Sequence, residues 1–127
     1  MKLITKEIRA KLLANFDKRI ALEGVIYDEG STQEQVDRAY VELRSFQPAV
    51  KLFNPCGSGT WYLTEMIPED HSTVFGLADL GLGFPEMGYI SLRELEEIEL
   101  PYGMRIERDI HWTTDQTIEQ LATGPAN

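Results

Sequence analysis

The chain has 127 residues, 43% apolar and 26% charged, a composition that suits one packed domain burying about two thirds of the surface its unfolded form exposes. Its net charge of −9 disfavours direct binding to duplex nucleic acid, because that affinity rests on neutralising phosphates with Lys and Arg. No apolar run approaches the roughly 20 residues needed to span a bilayer, and the single Cys56 excludes an intramolecular disulfide framework and a cysteine-rich zinc site.

A soluble, cytoplasmic protein without cofactor or metal is therefore expected. The charge is uneven: residues 1–50 carry eight basic and eight acidic side chains, residues 51–127 four and thirteen. With six basic groups among residues 1–20, a basic end and a strongly acidic remainder follow.

In chain order, Ile4, Ile8, Leu12, Leu13, Phe16 and Ile20 recur as one face of a helix capped by Thr5. Lys6, Arg9, Lys11, Lys18 and Arg19 fall mostly off that stripe and read as its solvent face. Gly24 to Gly30 is turn-bounded and suggests at most a brief edge strand. Ser31 with Glu34, or Thr32 with Gln35, offers a capping box for a second helix with Val36, Ala39, Tyr40 and Leu43 along one face, which Pro48 must end.

After Pro48 the period falls from 3.6 to 2. Val50 and Leu52 begin a strand closed by the turn Asn54–Gly59. Thr60 to Met66 alternates Trp61, Leu63 and Glu65 against Tyr62, Thr64 and Met66. Thr73 to Asp79 puts Thr73, Phe75, Leu77 and Asp79 on one face, and the small Gly76 and Ala78 on the other suggest close approach of a helix. Gly81, Gly83, Pro85 and Gly88 make the next segment loop-like, without a phosphate-loop template. Ser91 and Glu94 open a helix with Leu92, Leu95 and Ile98 inward, Glu94, Glu96, Glu97 and Glu99 outward, and Pro101 as its stop. Met104 to Trp112 alternates again, with Arg108 breaking an apolar row. A last short helix, capped by Thr114, leads into a Gly-Pro tail expected to fray.

The fold class expected is α+β: a small, mainly antiparallel sheet from Val50 to Asp79 plus Met104 to Trp112, covered by two N-terminal helices and one later helix. One domain spans 1–127, helical over 1–47, sheet-rich over 48–113 and ending in a short helix and tail over 114–127.

Three constellations could carry chemistry. Glu65 and Asp79 with Arg108 form a carboxylate set in which a buried Arg needs an acidic partner. A hairpin of the two central strands sets Glu65 beside Phe75 and Trp61 beside Asp79, so the acids stand ~13 Å apart at about 3.3 Å per residue. That is too far for a shared-proton dyad and wider than the ~6.5–9.5 Å of an inverting glycosidase pair. Cys56 with His71 or His111 lacks the spacing of a thiol or serine nucleophile motif. Glu69, Asp70 and His71 are adjacent, whereas metal ligands must converge from several directions. Trp61, Tyr62, Tyr89 and Trp112 are candidates for an aromatic recognition surface or for core.

The ordered series T-K-E-I-R, V-K-L-F-N-P, T-W-Y-L-T-E, F-G-L-A-D, G-Y-I-S-L-R-E-L-E-E-I and I-E-R-D resembles a bacterial family known as a domain of unknown function and common on plasmids and other mobile elements. The resemblance covers Leu3 to Arg9 and nearly all of Val50 to Asp109. Between about Ile20 and Phe46 the chain departs from shorter members, and the second helix looks like an insertion. The resemblance implies an accessory role inside a bacterium and singles out Trp61, Glu65, Asp79, Glu86, Tyr89 and Arg108, with no activity or catalytic residue attached.

The function expected is that of a binding or regulatory protein presenting Glu94, Glu96, Glu97 and Glu99 to a basic protein partner. Its rival is a small hydrolase or ligand-binding enzyme centred on Glu65, Asp79, Glu86 and Arg108.

Overall fold

The computed structural model describes residues 2–123. Helices α1 (Lys6–Tyr27) and α2 (Gln33–Leu43) precede strands β1 (Val50–Phe53), β2 (Thr60–Met66), β3 (Thr73–Asp79) and β4 (Glu86–Ser91). Helix α3 (Leu92–Glu97), a 3-10 turn at Pro101–Gly103, β5 (Glu107–Arg108) and α4 (Ile118–Thr123) follow. All pairings are antiparallel, in the order β4-β3-β2-β1-β5. The α+β class is therefore as expected, and the Gly-Pro tail lies outside the described residues.

The helix starts follow the side-chain caps in the sequence. Thr5 accepts from the Ile8 N–H at the start of α1, and Thr32 and Gln35 form a reciprocal capping box on α2. Ser91 accepts from the Glu94 N–H to start α3. For α4 the cap is Thr117, paired reciprocally with Gln120, and not Thr114, whose hydroxyl accepts from Gln116 instead.

Helix α1 continues through Gly24, where a brief strand was expected. A glycine in a helix costs only about 1 kcal/mol relative to alanine, and the half-buried Leu22, Val25 and Ile26 on the segment that packs against α2 outweigh it. The helix stops at Asp28, whose carboxylate accepts from Gly30 N–H, while the Ser31 hydroxyl takes the Val25 carbonyl.

Two further expectations are corrected. Glu86–Ser91 is an edge strand paired with β3 along its whole length, and not a loop. At the other edge β5 is two residues long, because only Glu107 and Arg108 pair with β1 and Ile110 turns out to solvent.

The register fixes which side chains share a face. Rows Arg108–Leu52–Trp61–Ala78–Glu86, Val50–Leu63–Gly76–Gly88 and Met66–Val74–Ile90 lie on one face. Leu3, Ile4, Leu12, Leu92, Leu95 and Ile106 close over it to make the main core. Rows Lys51–Tyr62–Leu77–Met87 and Glu65–Phe75–Tyr89 lie on the opposite face.

The alternation of β2 breaks between Leu63 and Glu65, where a β-bulge shifts the register against β3. Met66 thereby turns into the core, fully buried, and Glu65 leaves the face of Trp61 and Leu63. The bulge demands a glycine opposite. A Cβ on Gly76 would overlap the Tyr62 carbonyl oxygen and crowd Leu63 Cα, so the small residue accommodates the neighbouring strand and not an approaching helix. The Thr64 carbonyl accepts from Asn15 Nδ2 at 2.8 Å, and the Thr64 hydroxyl donates to the Phe75 carbonyl at 3.2 Å.

Gly76→Ala is expected to cost roughly 1–3 kcal/mol or more by forcing backbone apart. Gly88→Ala, where a Cβ would meet nothing within 4 Å, is expected to be neutral or slightly stabilising; urea denaturation of both variants checks the contrast.

Candidate functional site

The residues singled out by sequence fall on opposite sides of the sheet. Arg108, Trp61 and Glu86 share the core-side row, with Arg108 and Glu86 at its two ends, whereas Glu65, Tyr89 and Asp79 belong to the other face. Glu65 is paired with Phe75 as expected, but Trp61 meets Ala78, and Thr60 meets Asp79, because the bulge moves the register by one.

Among the described residues Arg108 has no carboxylate partner of the kind expected. Its Nη1 donates instead to the Leu3 carbonyl at 2.6 Å, so a backbone acceptor takes one of the guanidinium donors on the core side of the edge strand. Asp79 accepts from Gly81 N–H in the turn after β3 and lies close enough to Tyr62 to act on it. Burial, followed by the Asp79 charge, pushes the Tyr62 hydroxyl above its ordinary value. Trp61 is buried in the core, and Glu86 is exposed at the start of β4. Tyr89 is 62% exposed, edge-on to Phe75. Tyr62 and Trp112 lie against each other with ring centres 5.7 Å apart.

The charge partner of Glu65 comes from a residue the sequence reading left on a solvent face. Arg19 Nε donates to both Glu65 oxygens, at 2.8 and 2.9 Å, and Arg19 Nη1 donates to Glu23 at 3.0 Å. Arg9 is used likewise, with Nη1 donating to the His71 carbonyl at 2.8 Å. The i, i+4 spacing of Asn15 and Arg19 was the available signal, since it aims both at the same patch of β2.

The Glu65 side chain is only 7% exposed. Burial pushes its carboxyl above the ordinary value, and Arg19 only partly pulls it back down. For Arg19 burial opposes the charge, but Glu65 and Glu23 outweigh it and hold the guanidinium above its ordinary value.

This pair floors a cavity of about 150 Å³ on the side of the sheet away from the main core. Phe75 and Met87 of the sheet, Leu43 at the end of α2, Phe46 after it, and Ile118 of α4 supply apolar walls, with Arg44 and Glu119 also lining it. The Ile118 N–H donates to the Phe46 carbonyl at 2.8 Å, which fixes α4 against that segment.

A second concavity, an open groove of about 710 Å³, runs along Lys51, Phe53, Asn54, Arg108, Asp109 and His111. Lys51 and Asp109 face each other across 3.7 Å within it. Cys56 is exposed in the adjoining turn, and its sulfur meets the Pro101 carbonyl at 3.8 Å instead of either histidine.

The acidic segment is not uniform. Glu94, Glu97 and Glu99 are exposed, while Glu96 is half-buried and accepts from the Leu3 N–H at 3.4 Å. Arg105 Nη1 donates to the Glu97 and Ile98 carbonyls, capping the C-terminus of α3.

Asp70, adjacent to His71, serves the β2–β3 connection: its carboxylate accepts from the Ser72 and Thr73 N–H groups and from the Thr73 hydroxyl. Those donors hold its carboxyl at about 2.

A family model described as protein of unknown function (DUF2958) matches residues 3–124. That span includes residues 20–46, which the motif series left as an insertion. No curated protein and no solved structure matches the chain.

Two outcomes follow from the ionisable groups. Arg19→Met should cost about 3–5 kcal/mol by leaving Glu65 buried and unpaired, whereas the double change Arg19→Met with Glu65→Leu should recover most of it. The loss in the single variant should grow as pH rises through the carboxyl range, because ionisation of Glu65 then favours the unfolded chain; denaturant unfolding at about pH 4.5 and about pH 8 reads both effects. Asp70, with its folded carboxyl depressed, contributes stability that is present above the ordinary aspartate value of about 4 and is lost as pH falls through about 2. Asp70→Asn should flatten that part of the acid-unfolding curve.

Proposed function

The chain belongs to the family of proteins of unknown function DUF2958, and on that premise we propose that it is a binding protein that presents carboxylates to a basic protein partner. One observation carries this reading. From Asp79 to Glu99 the chain has six acidic side chains and one basic one, Arg93, and of these Glu94, Glu97 and Glu99 stand exposed together around α3. Exposed charges of one sign raise association rates and select partners of the opposite sign.

The resemblance of the motif series to a bacterial family common on plasmids supports a cytoplasmic setting on a mobile element. There a basic protein that handles nucleic acid is the natural partner, with the carboxylates standing where phosphates would. Among the described residues no helix is long and apolar enough to cross a membrane.

The rival reading, a hydrolase or ligand-binding enzyme on the sheet, keeps only part of its site. Glu65 retains an arginine and a cavity, but Asp79 and Glu86 line neither that cavity nor the Arg108 groove.

Replacing Glu94, Glu97 and Glu99 by Lys, with Glu96 kept because it holds the N-terminal segment, should abolish capture of the basic partner. Affinity purification from the host with mass spectrometry checks this. Full retention of every partner by the triple variant would sink the proposal.

A further inference from the structure

We infer that the cavity floored by Glu65 is a socket for one alkylammonium group, whose apolar stem lies against Phe46, Phe75 and Met87 and whose cationic head bonds to the Glu65 carboxylate. The site is distinct from the exposed glutamates of α3, and the inference stands whether or not they engage a partner.

Size limits the occupant first. At about 150 Å³ the cavity is half or less of an ordinary ligand pocket of roughly 300–1,000 Å³. It therefore takes one side-chain-sized group and not a nucleotide or a sugar chain.

Hydrogen bonding sets the head. An ionised carboxylate has about four acceptor sites, yet both oxygens of Glu65 share a single N–H, Arg19 Nε. Only Nε of Arg19 donates to Glu65, while Nη1 donates to Glu23, so the two parallel bonds of a fork are not formed. Glu65 thus keeps unused acceptor capacity while its side chain is more than nine-tenths buried. Each oxygen has one donor, and the carboxylate can accept a further one.

Charge sets the sign. The charged side chains that line the cavity, Glu65 and Glu119 against Arg19 and Arg44, balance, and Glu23, bonded to Arg19, brings the group to −1, so a cation is attracted and an anion is repelled. Burial already raises the Glu65 carboxyl despite Arg19, and a second cation would relieve that cost. The apolar walls then favour a hydrocarbon stem over a bare or hydrated ion, which would leave Phe46, Phe75 and Met87 against polar groups. An alkylammonium meets all three requirements. It has two sources, a free small amine or a lysine side chain of another protein.

The test uses the full chain and follows the Met87 and Ile118 methyl signals by NMR during titration with pentylamine and, separately, with 1-pentanol. Pentylamine should shift both methyls saturably and bind at least ten times more tightly than the alcohol. Glu65→Gln should remove that preference. Met87→Trp, a change at an exposed rim position that leaves the Arg19–Glu65 pair in place, should fill the cavity and abolish the saturable shift.

An acetyl-Gly-Lys-Gly amide titrated in parallel separates the sources. Binding of the peptide as well as the amine assigns the socket to a protein lysine, and binding of pentylamine alone assigns it to a free amine; both outcomes support the inference. Equal binding of amine and alcohol, shifts confined to other residues, or undiminished binding in Met87→Trp would overturn it.

Discussion

A single extra residue in β2 decides where the chemistry of this protein stands. The side-chain period of a strand is 2, so one inserted residue sends everything beyond it to the opposite face. Here the bulge between Leu63 and Glu65 places Met66 in the core and sends Glu65 to the side of Phe75 and Tyr89. Without it, Glu65 would share the face of Trp61 and lie on the same side as Arg108. The bulge depends in turn on the missing side chain of Gly76 and on Asn15, which supplies a donor for the Thr64 carbonyl. A buried carbonyl left without a donor is costly, so helix α1 and the irregular strand specify each other.

That constraint separates what the sequence could convey from what it could not. Strands β2 and β3 and the caps at Thr5, Thr32 and Ser91 were legible because each rests on local chemistry: alternation in one case, a hydroxyl three residues before a free N–H in the other. The bulge was read over: Thr64 and Glu65 are two polar residues in succession and Glu65 interrupts the row of Trp61 and Leu63, but the same pattern fits a charge kept on the core face, and only the tertiary partner Gly76 reveals the slip. Gly24 misled because its neighbours Val25, Ile26 and Tyr27 favour strands, and tertiary packing overrode that preference. Strand β4 was hidden by Pro85 and Gly88 and by its position at an edge, where Glu86, Met87 and Tyr89 remain exposed and no periodicity marks a buried face.

The site residues divide along the same line. Glu65 was recognisable as a polar residue inside a strand, but its arginine was sought on the sheet at Arg108 and came from α1 at Arg19. Amphipathic counting assigns a long basic side chain to solvent, although such side chains can run along a helix and reach inward to a buried carboxylate. The acidic segment after β4 was legible as a run of charge, yet its members differ in role. Glu96 binds the start of the chain, and its neighbours face outward. A charge run read from sequence therefore marks a surface without identifying which members hold the fold.

Leu3 is held from both sides by the far end of the chain, through Glu96 and Arg108, and Arg108 also belongs to the strand that completes the sheet beside β1. More than fifty residues separate Leu52 from its partner Arg108, and more than a hundred separate Leu3 from it. Such non-local pairings form late. During synthesis the outer edge of β1 stays bare, and Leu3 and Ile4 stay without their cover, until Arg108 has left the ribosome. An unpaired edge beside uncovered apolar residues is a template for association, so a ribosome-bound fragment ending before Arg108 is the form of this protein most in need of a chaperone.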